Sequence, residues 1–254
     1  MRLVRFCAQN KPRYGILEEG EIQVLRHPPY VGLERTGERI PSADVQLLAP
    51  CEPSKIIGIG LNYRDHAVEF GLVPPEEPML FLKPATAVIG PGQDIRYPEA
   101  SRQVDYEAEL GIVIGRTAFR VRREEASNYI LGYTCFNDVT ARDLQAKDIQ
   151  FTRSKSFDTF APLGPWIATD LDPLSLTVES YLNGQRKQCS STRELVFDPL
   201  HLVYFISWIM TLNPGDVIAS GTPGGVGPMV PGDEIEIRIE RIGSLVNRVA
   251  SHDP

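Results

Sequence analysis

At 254 residues the chain is long enough to bury a sizeable core, and 42% hydrophobic with 23% charged residues is ordinary globular composition. A net charge of −7 without any basic run argues against a nucleic-acid binder, and no apolar run approaches the roughly 18 residues of a membrane-spanning helix. The N-terminus lacks the h-region of a signal peptide, and Cys7, Cys51, Cys135 and Cys189 are scattered without a C-x-x-C, so the chain reads as a cytoplasmic protein with buried thiols rather than a disulfide framework or zinc site.

Residues 1–50 read as a small β domain. Arg13–Leu17 and Glu21–Leu25 flank Glu18-Glu19-Gly20, a hairpin signal. Residues 51–254 form the main body, which opens on the buried-strand pattern Lys55-Ile56-Ile57-Gly58-Ile59-Gly60. Gly58 and Gly60 are not a nucleotide loop, because the full G-x-G-x-x-G is absent. Residues 62–70 are helix-capable, and the glycines and prolines around them suggest a tethered flap running from Asn62 to Pro78. Further strands are predicted at 79–83, 108–114, 164–168, 176–182, 216–220 and 233–239. Helices are predicted at 123–130, 139–146 and 198–210, the last with an apolar face from Leu202, Phe205, Ile206 and Ile209. The many short strands, with 21 Gly and 21 Pro as punctuation, fit a mixed, mainly β fold with some α better than a doubly wound sheet.

Glu107 and Glu109 are two residues apart, so in an extended strand they share a face. E-x-E of this kind also fits a solvated edge. Here, however, Val104, Tyr106, Leu110, Ile112, Val113 and Ile114 flank the pair, and two buried carboxylates repel each other and lose hydration. A hard divalent cation resolves both problems. Asp138, in the apolar-flanked run Tyr129–Asp138, would complete an oxygen-only site of the kind Mg²⁺ or Ca²⁺ takes. His66 and Glu69, three apart, share a helical face as a base and its orienter, or simply as a solvated pair. Lys155 sits among aromatic and apolar neighbours, where an ammonium could steady an enolate or carboxylate oxygen or merely snorkel. Gly221-Thr222-Pro223-Gly224-Gly225-Val226-Gly227 is either a turn whose N–H groups approach an anion or an ordinary β-turn loop.

Taken in order, these segments resemble the fumarylacetoacetate hydrolase superfamily. The resemblance runs from about Lys55 to Asn247. It is carried by Gly60-x-Asn62-Tyr63-x-x-His66-x-x-Glu69, Leu80-Phe81-Leu82-Lys83-Pro84, Asp105-Tyr106-Glu107-Ala108-Glu109-Leu110, Gly132 through Asp143-x-Gln145, Lys155-Ser156-Phe157-Asp158, Gly221-Thr222-Pro223-x-Gly225-Val226-Gly227 and Gly232-Asp233. It implies a mixed β-sandwich roll of that family's C-terminal type, usually a homodimer, here behind a small N-terminal β domain. It also implies Mg²⁺, with Mn²⁺ or Ca²⁺ as substitutes, on Glu107, Glu109 and Asp138. His66 and Glu69 resemble a catalytic dyad on a lid, and Lys155 a catalytic lysine. Arg142, Gln145, Lys155 and Thr222 match positions that contact substrate. The namesake hydrolase draws its orienting glutamate from beyond the Gly-Thr turn, where Met229 and Val230 offer nothing similar, which argues against fumarylacetoacetate as substrate.

The resemblance implies chemistry on a 2-oxo acid, or its 2-hydroxy-diene form, through an enolate held by the metal. Isomerisation or decarboxylation in aromatic-compound catabolism, acylpyruvate C–C hydrolysis and oxaloacetate decarboxylation all start there, and a non-catalytic family member is the remaining alternative. Arg142 and Lys155, joined by Lys83 and Arg64, offer more positive charge than one carboxylate requires, which points to a dicarboxylate.

Overall fold

The computed structural model describes residues 1–64, 71 and 73–251. Strands dominate and helices are few and short, in keeping with the many short segments punctuated by Gly and Pro. One large sheet runs through the molecule in the order Arg35–Pro41, Glu21–Leu25, Lys11–Glu18, Arg2–Ala8, Ala161–Ala168, Ile130–Asn137, Ala108–Ile114, Val217–Ala219, Lys55–Gly60, Met79–Pro84. The predicted hairpin is present, pairing Ile16 with Gln23 and Leu17 with Ile22. Its two turn residues, Glu19 (φ 50°) and Gly20 (φ 85°), take the positive φ that matches the right-handed twist of the flanking strands.

The first fifty residues do not form a separate sheet. Arg2 pairs with Ala168 and Leu3 with Ile167, so the N-terminal strands extend the sheet of the body. Leu3 then packs in one cluster with Leu163, Ile167 and Val217. A five-stranded sheet, ordered Gln185–Ser191, Thr177–Leu182, Glu234–Ile239, Gly243–Ser251, Asp94–Tyr97, supplies the second layer of the body. Leu110 and Ile112 of the large sheet share the main core with Val178, Ile237 and Leu245 of this one, the interdigitation of a β-sandwich.

A third, small sheet places Val104–Tyr106 between Thr140–Ala141 and Gly227–Met229. Val104–Tyr106 runs on into Ala108–Ile114 and Thr140–Ala141 follows Ile130–Asn137, while Gly227–Met229 follows Val217–Ala219 after a seven-residue turn. The chain passes from the small sheet to the large one between Tyr106 and Ala108, and back from the large to the small between Asn137 and Thr140 and again between Ala219 and Gly227. The first two crossings are adjacent, because Ala108 pairs with Asn137 and Asp138 N–H donates to Glu107 O at 2.9 Å.

This crossover explains where the predicted helix at 139–146 fails at its start. Thr140 pairs with Asp105 and Ala141 with Val104, so helix begins only at Arg142 and runs to Lys147. Residues 123–129 are a 3₁₀ segment rather than an α-helix. The predicted helix at 198–210 is Pro199–Ser207, started by Asp198, whose carboxylate accepts from His201 N–H at 2.8 Å, and by Pro199 in the first turn. All four cysteines are free, but only Cys51 and Cys135 are buried. Cys7 is half-buried and Cys189 exposed, which corrects the expectation of four buried thiols. No helix among the described residues is long and apolar enough to cross a membrane.

Candidate active site

At the crossover the backbone stops pairing regularly and its side chains turn inward. Glu107 lies in the break itself, and Asn137 covers the freed peptide by accepting from Glu107 N–H at 3.0 Å. Glu109 is on the adjoining strand, Ala108–Ile114, and Asp138 follows the strand Ile130–Asn137. One carboxylate oxygen from each of Glu107, Glu109 and Asp138 lies within 4.8 Å of the others, and all three residues are buried. They form the inner end of a cavity of about 340 Å³.

Three cations surround these acids. Lys155 donates to Glu107 Oε2 at 2.9 Å and to Asp138 Oδ2 at 2.6 Å. Arg142 donates to Glu107 Oε1 at 2.6 Å, to Asp105 Oδ2 at 2.8 Å and to Gln145 Oε1 at 2.6 Å. Lys83, wholly buried, donates to Asp138 Oδ1 and, at 3.0 Å, to Val139 O. Burial pushes the Glu107 carboxyl up, but Lys155 and Arg142 outweigh it and hold that group down at about 2. Burial pushes Lys155 down, and Asp138 and Glu107 more than restore it. For Lys83 burial wins, and its ammonium is held below the usual lysine range.

Glu109 is the acid left over. Among the described residues four carboxyls (Asp105, Glu107, Glu109, Asp138) face three cations, and Glu109 receives the backbone N–H of Gly221 at 2.8 Å while the ion pairs go to the other three. Burial first, then the charges of Asp138 and Glu107, hold its carboxyl well above the usual range. Three buried carboxylates within reach of one another, one of them without an ion pair among the described residues, suit a hard divalent cation, and this all-oxygen donor set fits that group.

The glycine-rich turn therefore approaches an anion, but that anion is the protein's own Glu109. Gly221 has φ +96°, and a Cβ there would lie 2.8 Å from Asn62 Cβ and 3.2 Å from Ile59 O, so any other residue would be strained and would push Asn62 aside. Asn62 ties the neighbouring segment to this turn, donating to Ser220 O at 2.7 Å and to Phe197 O at 3.0 Å.

The rest of the cavity wall is largely apolar. Ile59, Leu61, Met79, Phe81 and Phe151 line it. Phe81 meets Phe151 edge-on at 5.7 Å, and the Lys155 ammonium sits 4.9 Å from the centre of the Phe81 ring.

Of the residues singled out in the sequence, Glu107, Glu109, Asp138, Arg142, Gln145, Lys155 and Thr222 all line this one cavity. Lys83 and Arg64 do not. Lys83 lies behind Asp138, and exposed Arg64 donates to Arg193 O at 3.2 Å and Leu195 O at 2.9 Å. The charge surplus that pointed to a second carboxylate thus has only Arg142 and Lys155 in the cavity. His66 and Glu69, with the rest of 65–70 and residue 72, lie outside the described residues. Two residues that act here escaped the sequence reading. Asp105 anchors Arg142, and its signal was an acid buried in the same apolar stretch as the two glutamates. Gln188, from a strand that was not predicted, donates to Thr222 Oγ1 at 2.8 Å, and its polar surroundings gave no signal at all.

Comparison with known proteins follows the same outline. Residues 55–250 match the family described as fumarylacetoacetate (FAA) hydrolase C-terminal, and residues 1–50 match the one described as Rv2993c-like, N-terminal. The chain is similar to the crystal structure of 5-carboxymethyl-2-hydroxymuconate delta-isomerase from Mycobacterium smegmatis, with 45% identity and a TM-score of 0.94 over 99% of this chain and all of that one. It is 42% identical to the oxaloacetate tautomerase YisK of Bacillus subtilis over 222 residues, 82% of this chain and 74% of that protein. The maleylpyruvate hydrolase of Sphingobium sp. SYK-6, solved with manganese(II) and pyruvate, is 33% identical with a TM-score of 0.83, and the match covers the whole of both chains.

Proposed function

Because the chain belongs to the fumarylacetoacetate hydrolase family, we propose that it is a metal-dependent isomerase that moves a proton between the keto and enol forms of a 2-oxo acid. The observation that carries this reading is the cluster of Glu107, Glu109 and Asp138 at the inner end of the cavity, where Glu109 has no ion pair among the described residues. Glu107, Glu109 and Asp138 would hold the cation, Mg²⁺ or Mn²⁺ in the first instance. When bound, that ion supplies Lewis acidity towards the carboxylate and 2-oxo oxygens of the substrate.

The chain's own residues divide the remaining work. Arg142 keeps N–H donors beyond those spent on Asp105, Glu107 and Gln145, and these orient the carboxylate head. Lys155 has one N–H left and stands ready to stabilise negative charge at the substrate oxygen. Phe81, Phe151 and Met79 exclude water, which strengthens every charge interaction at the inner end. His66, oriented by Glu69, is the proposed proton carrier. The same resemblance makes a homodimer in the cytoplasm part of the proposal.

The isomerase and tautomerase relatives, at 45% and 42% identity, favour proton transfer over C–C cleavage. Hydrolysis of an acylpyruvate is the second reading, supported by the full-length match to the maleylpyruvate hydrolase. To test the proposal, enol oxaloacetate is offered to the purified protein with Mg²⁺, Mn²⁺ or EDTA, and loss of the enol absorbance is followed. Metal-dependent acceleration without release of CO₂ supports isomerisation. Acceleration accompanied by CO₂ points to decarboxylation, and cleavage of an acylpyruvate without enol turnover points to hydrolysis. If every oxo acid tried is inert in the presence of either metal, the proposal fails.

A further inference from the structure

The strand Gln185–Ser191 is the outer edge of the five-stranded sheet. Its sequence, Gln-Arg-Lys-Gln-Cys-Ser-Ser, is polar throughout, and every side chain on it is exposed or half-buried except one. The exception is Gln188, 1% exposed. An edge strand that buries a single residue would ordinarily bury an apolar one, since a buried amide needs all its hydrogen-bonding groups satisfied.

Gln188 does satisfy them, and every partner of its side chain either lines the cavity, as Thr222 does, or is next in sequence to a residue that does. Its Nε2 donates to Thr222 Oγ1 and to Pro223 O, both at 2.8 Å. Its Oε1 accepts from Ala108 N–H at 3.0 Å, and Ala108 is the residue between the two cluster glutamates, Glu107 and Glu109. Thr222 Oγ1 closes the ring by donating to Ala108 O at 2.9 Å. The same edge strand meets the turn again at Gly225 (φ +92°), where a Cβ would stand 2.6 Å from Lys187 O.

We propose that Gln188 is a positioning residue for the oxo-acid site: it locks Thr222 and the glycine-rich turn at a fixed spacing from the strand that carries Glu107 and Glu109. The proposal rests on the 2-oxo-acid reading above for its ligand arm but not for its structural arm. It differs from mere edge packing in a definite way. A packing role would lower stability without changing how an oxo acid is recognised relative to the metal alone.

Two variants test it. Gln188→Met keeps length and volume and removes all three hydrogen bonds. Gln188→Glu keeps an acceptor for Ala108 N–H and, when ionised, loses the donors to Thr222 and Pro223; it also serves if the Met variant does not fold. Hydrogen–deuterium exchange of the metal-free protein reads the turn amides of Gly221, Thr222, Gly224 and Gly225. Calorimetry reads Mn²⁺ alone and then oxalate, a mimic of the 2-oxo-acid head, on the Mn²⁺-loaded protein. Both variants are expected to exchange faster at the turn, to bind oxalate at least tenfold more weakly, and to keep Mn²⁺ affinity within about threefold of wild type, from the loss of directional hydrogen bonds. The proposal is overturned if turn exchange is unchanged, if oxalate affinity holds within threefold, or if oxalate and Mn²⁺ affinities fall in equal proportion. Should the wild-type protein bind no oxalate, the functional reading falls, and the exchange measurement still decides the role of Gln188.

Discussion

The two ends of the large sheet use the same charged residue types to opposite effect. In the N-terminal strands, Arg13 meets Glu38, Arg39 meets Glu21 and Arg26 meets Glu34, with each partner at least 30% exposed. At the crossover, Lys83, Lys155 and Arg142 meet Asp138, Glu107 and Asp105, with almost every partner buried. Water screens the first set, so its geometry can be good and its contribution small. The second set has given up hydration, so each member depends on the others, and removing one strands a charge. Charge at the outer end of the sheet keeps an edge soluble, whereas at the crossover it builds a cluster whose repulsion costs the fold stability and which a bound cation would relieve.

The largest effect expected from this contrast is on metal binding. Glu109 is the crossover carboxyl with no ion pair among the described residues, so Glu109→Gln should weaken Mn²⁺ or Mg²⁺ binding by at least ~100-fold and reduce activity at least as much, as should chelation of the wild type. Titration calorimetry and the enol assay measure both. A chelated protein with undiminished activity would remove the basis for the site.

Next comes Lys155→Met. It leaves Glu107 and Asp138 buried without the ammonium that both share, and the metal-free variant should lose about 3–5 kcal/mol. Urea melts of metal-free protein give the number. A change under 1 kcal/mol would mean that water already reaches these acids and that the crossover is energetically like the N-terminal pairs. Leu3→Ala is the apolar control at the other end. Leu3 is 1% exposed at the seam between the N-terminal strands and Ile167, and its loss should cost about 2–5 kcal/mol while sparing metal affinity.

How much of this was legible beforehand follows the same division. Local patterns announced the hairpin at Glu19-Gly20, the strand Lys55–Gly60 and the paired glutamates, because each depends on residues adjacent in sequence. The crossover did not show. Nothing local says that the strand through Glu107 and the one through Asp138 leave one sheet for another at the same level, and Thr140–Ala141 was read as helix for that reason. The charge of Lys83 suggested a contact to a second substrate carboxylate, but Lys83 does not line the cavity. Whether a lysine on a strand faces the cavity or the far side of Asp138 is set by a partner 55 residues away. Gln188 was invisible because a glutamine on a polar edge strand looks like every other solvent-facing one until the turn at Thr222 packs over it.

A smaller effect has an unusual sign. In metal-free protein the Glu109 carboxyl is held above its ordinary value, so folding favours its protonated form. A raised carboxyl stabilises the fold below its unfolded value, and that contribution fades as pH rises towards the folded one. Metal-free Glu109→Gln should therefore melt higher than metal-free wild type, by ~2–4 °C for each kcal/mol gained. The gap should widen as pH rises above about 4.5, the ordinary glutamate value in water. Scanning calorimetry across pH 4–8 in EDTA checks this. A variant that melts lower throughout would show that the Gly221 N–H bond to Glu109 outweighs the repulsion from Asp138 and Glu107.

The smallest effect belongs to the N-terminal pair with the best geometry. Arg13 grips Glu38 with both terminal nitrogens, at 2.9 and 2.5 Å, and holds the Glu38 carboxyl below its usual range. If geometry alone decided strength, Glu38→Ala would rank with Lys155→Met. Yet the two side chains are 30% and 48% exposed, so water and salt compete for both. A lowered carboxyl contributes above its unfolded value and loses that contribution as pH falls through the folded one, so the variant should differ from wild type near neutral pH and not in acid. Even at pH 7 and low salt the melting temperature should stay within about 1 °C of wild type, with metal affinity untouched. A drop of several degrees that vanishes in 1 M NaCl would place this pair with the crossover. Hydrogen-bond geometry, rather than burial, would then be what separates the two ends of the sheet.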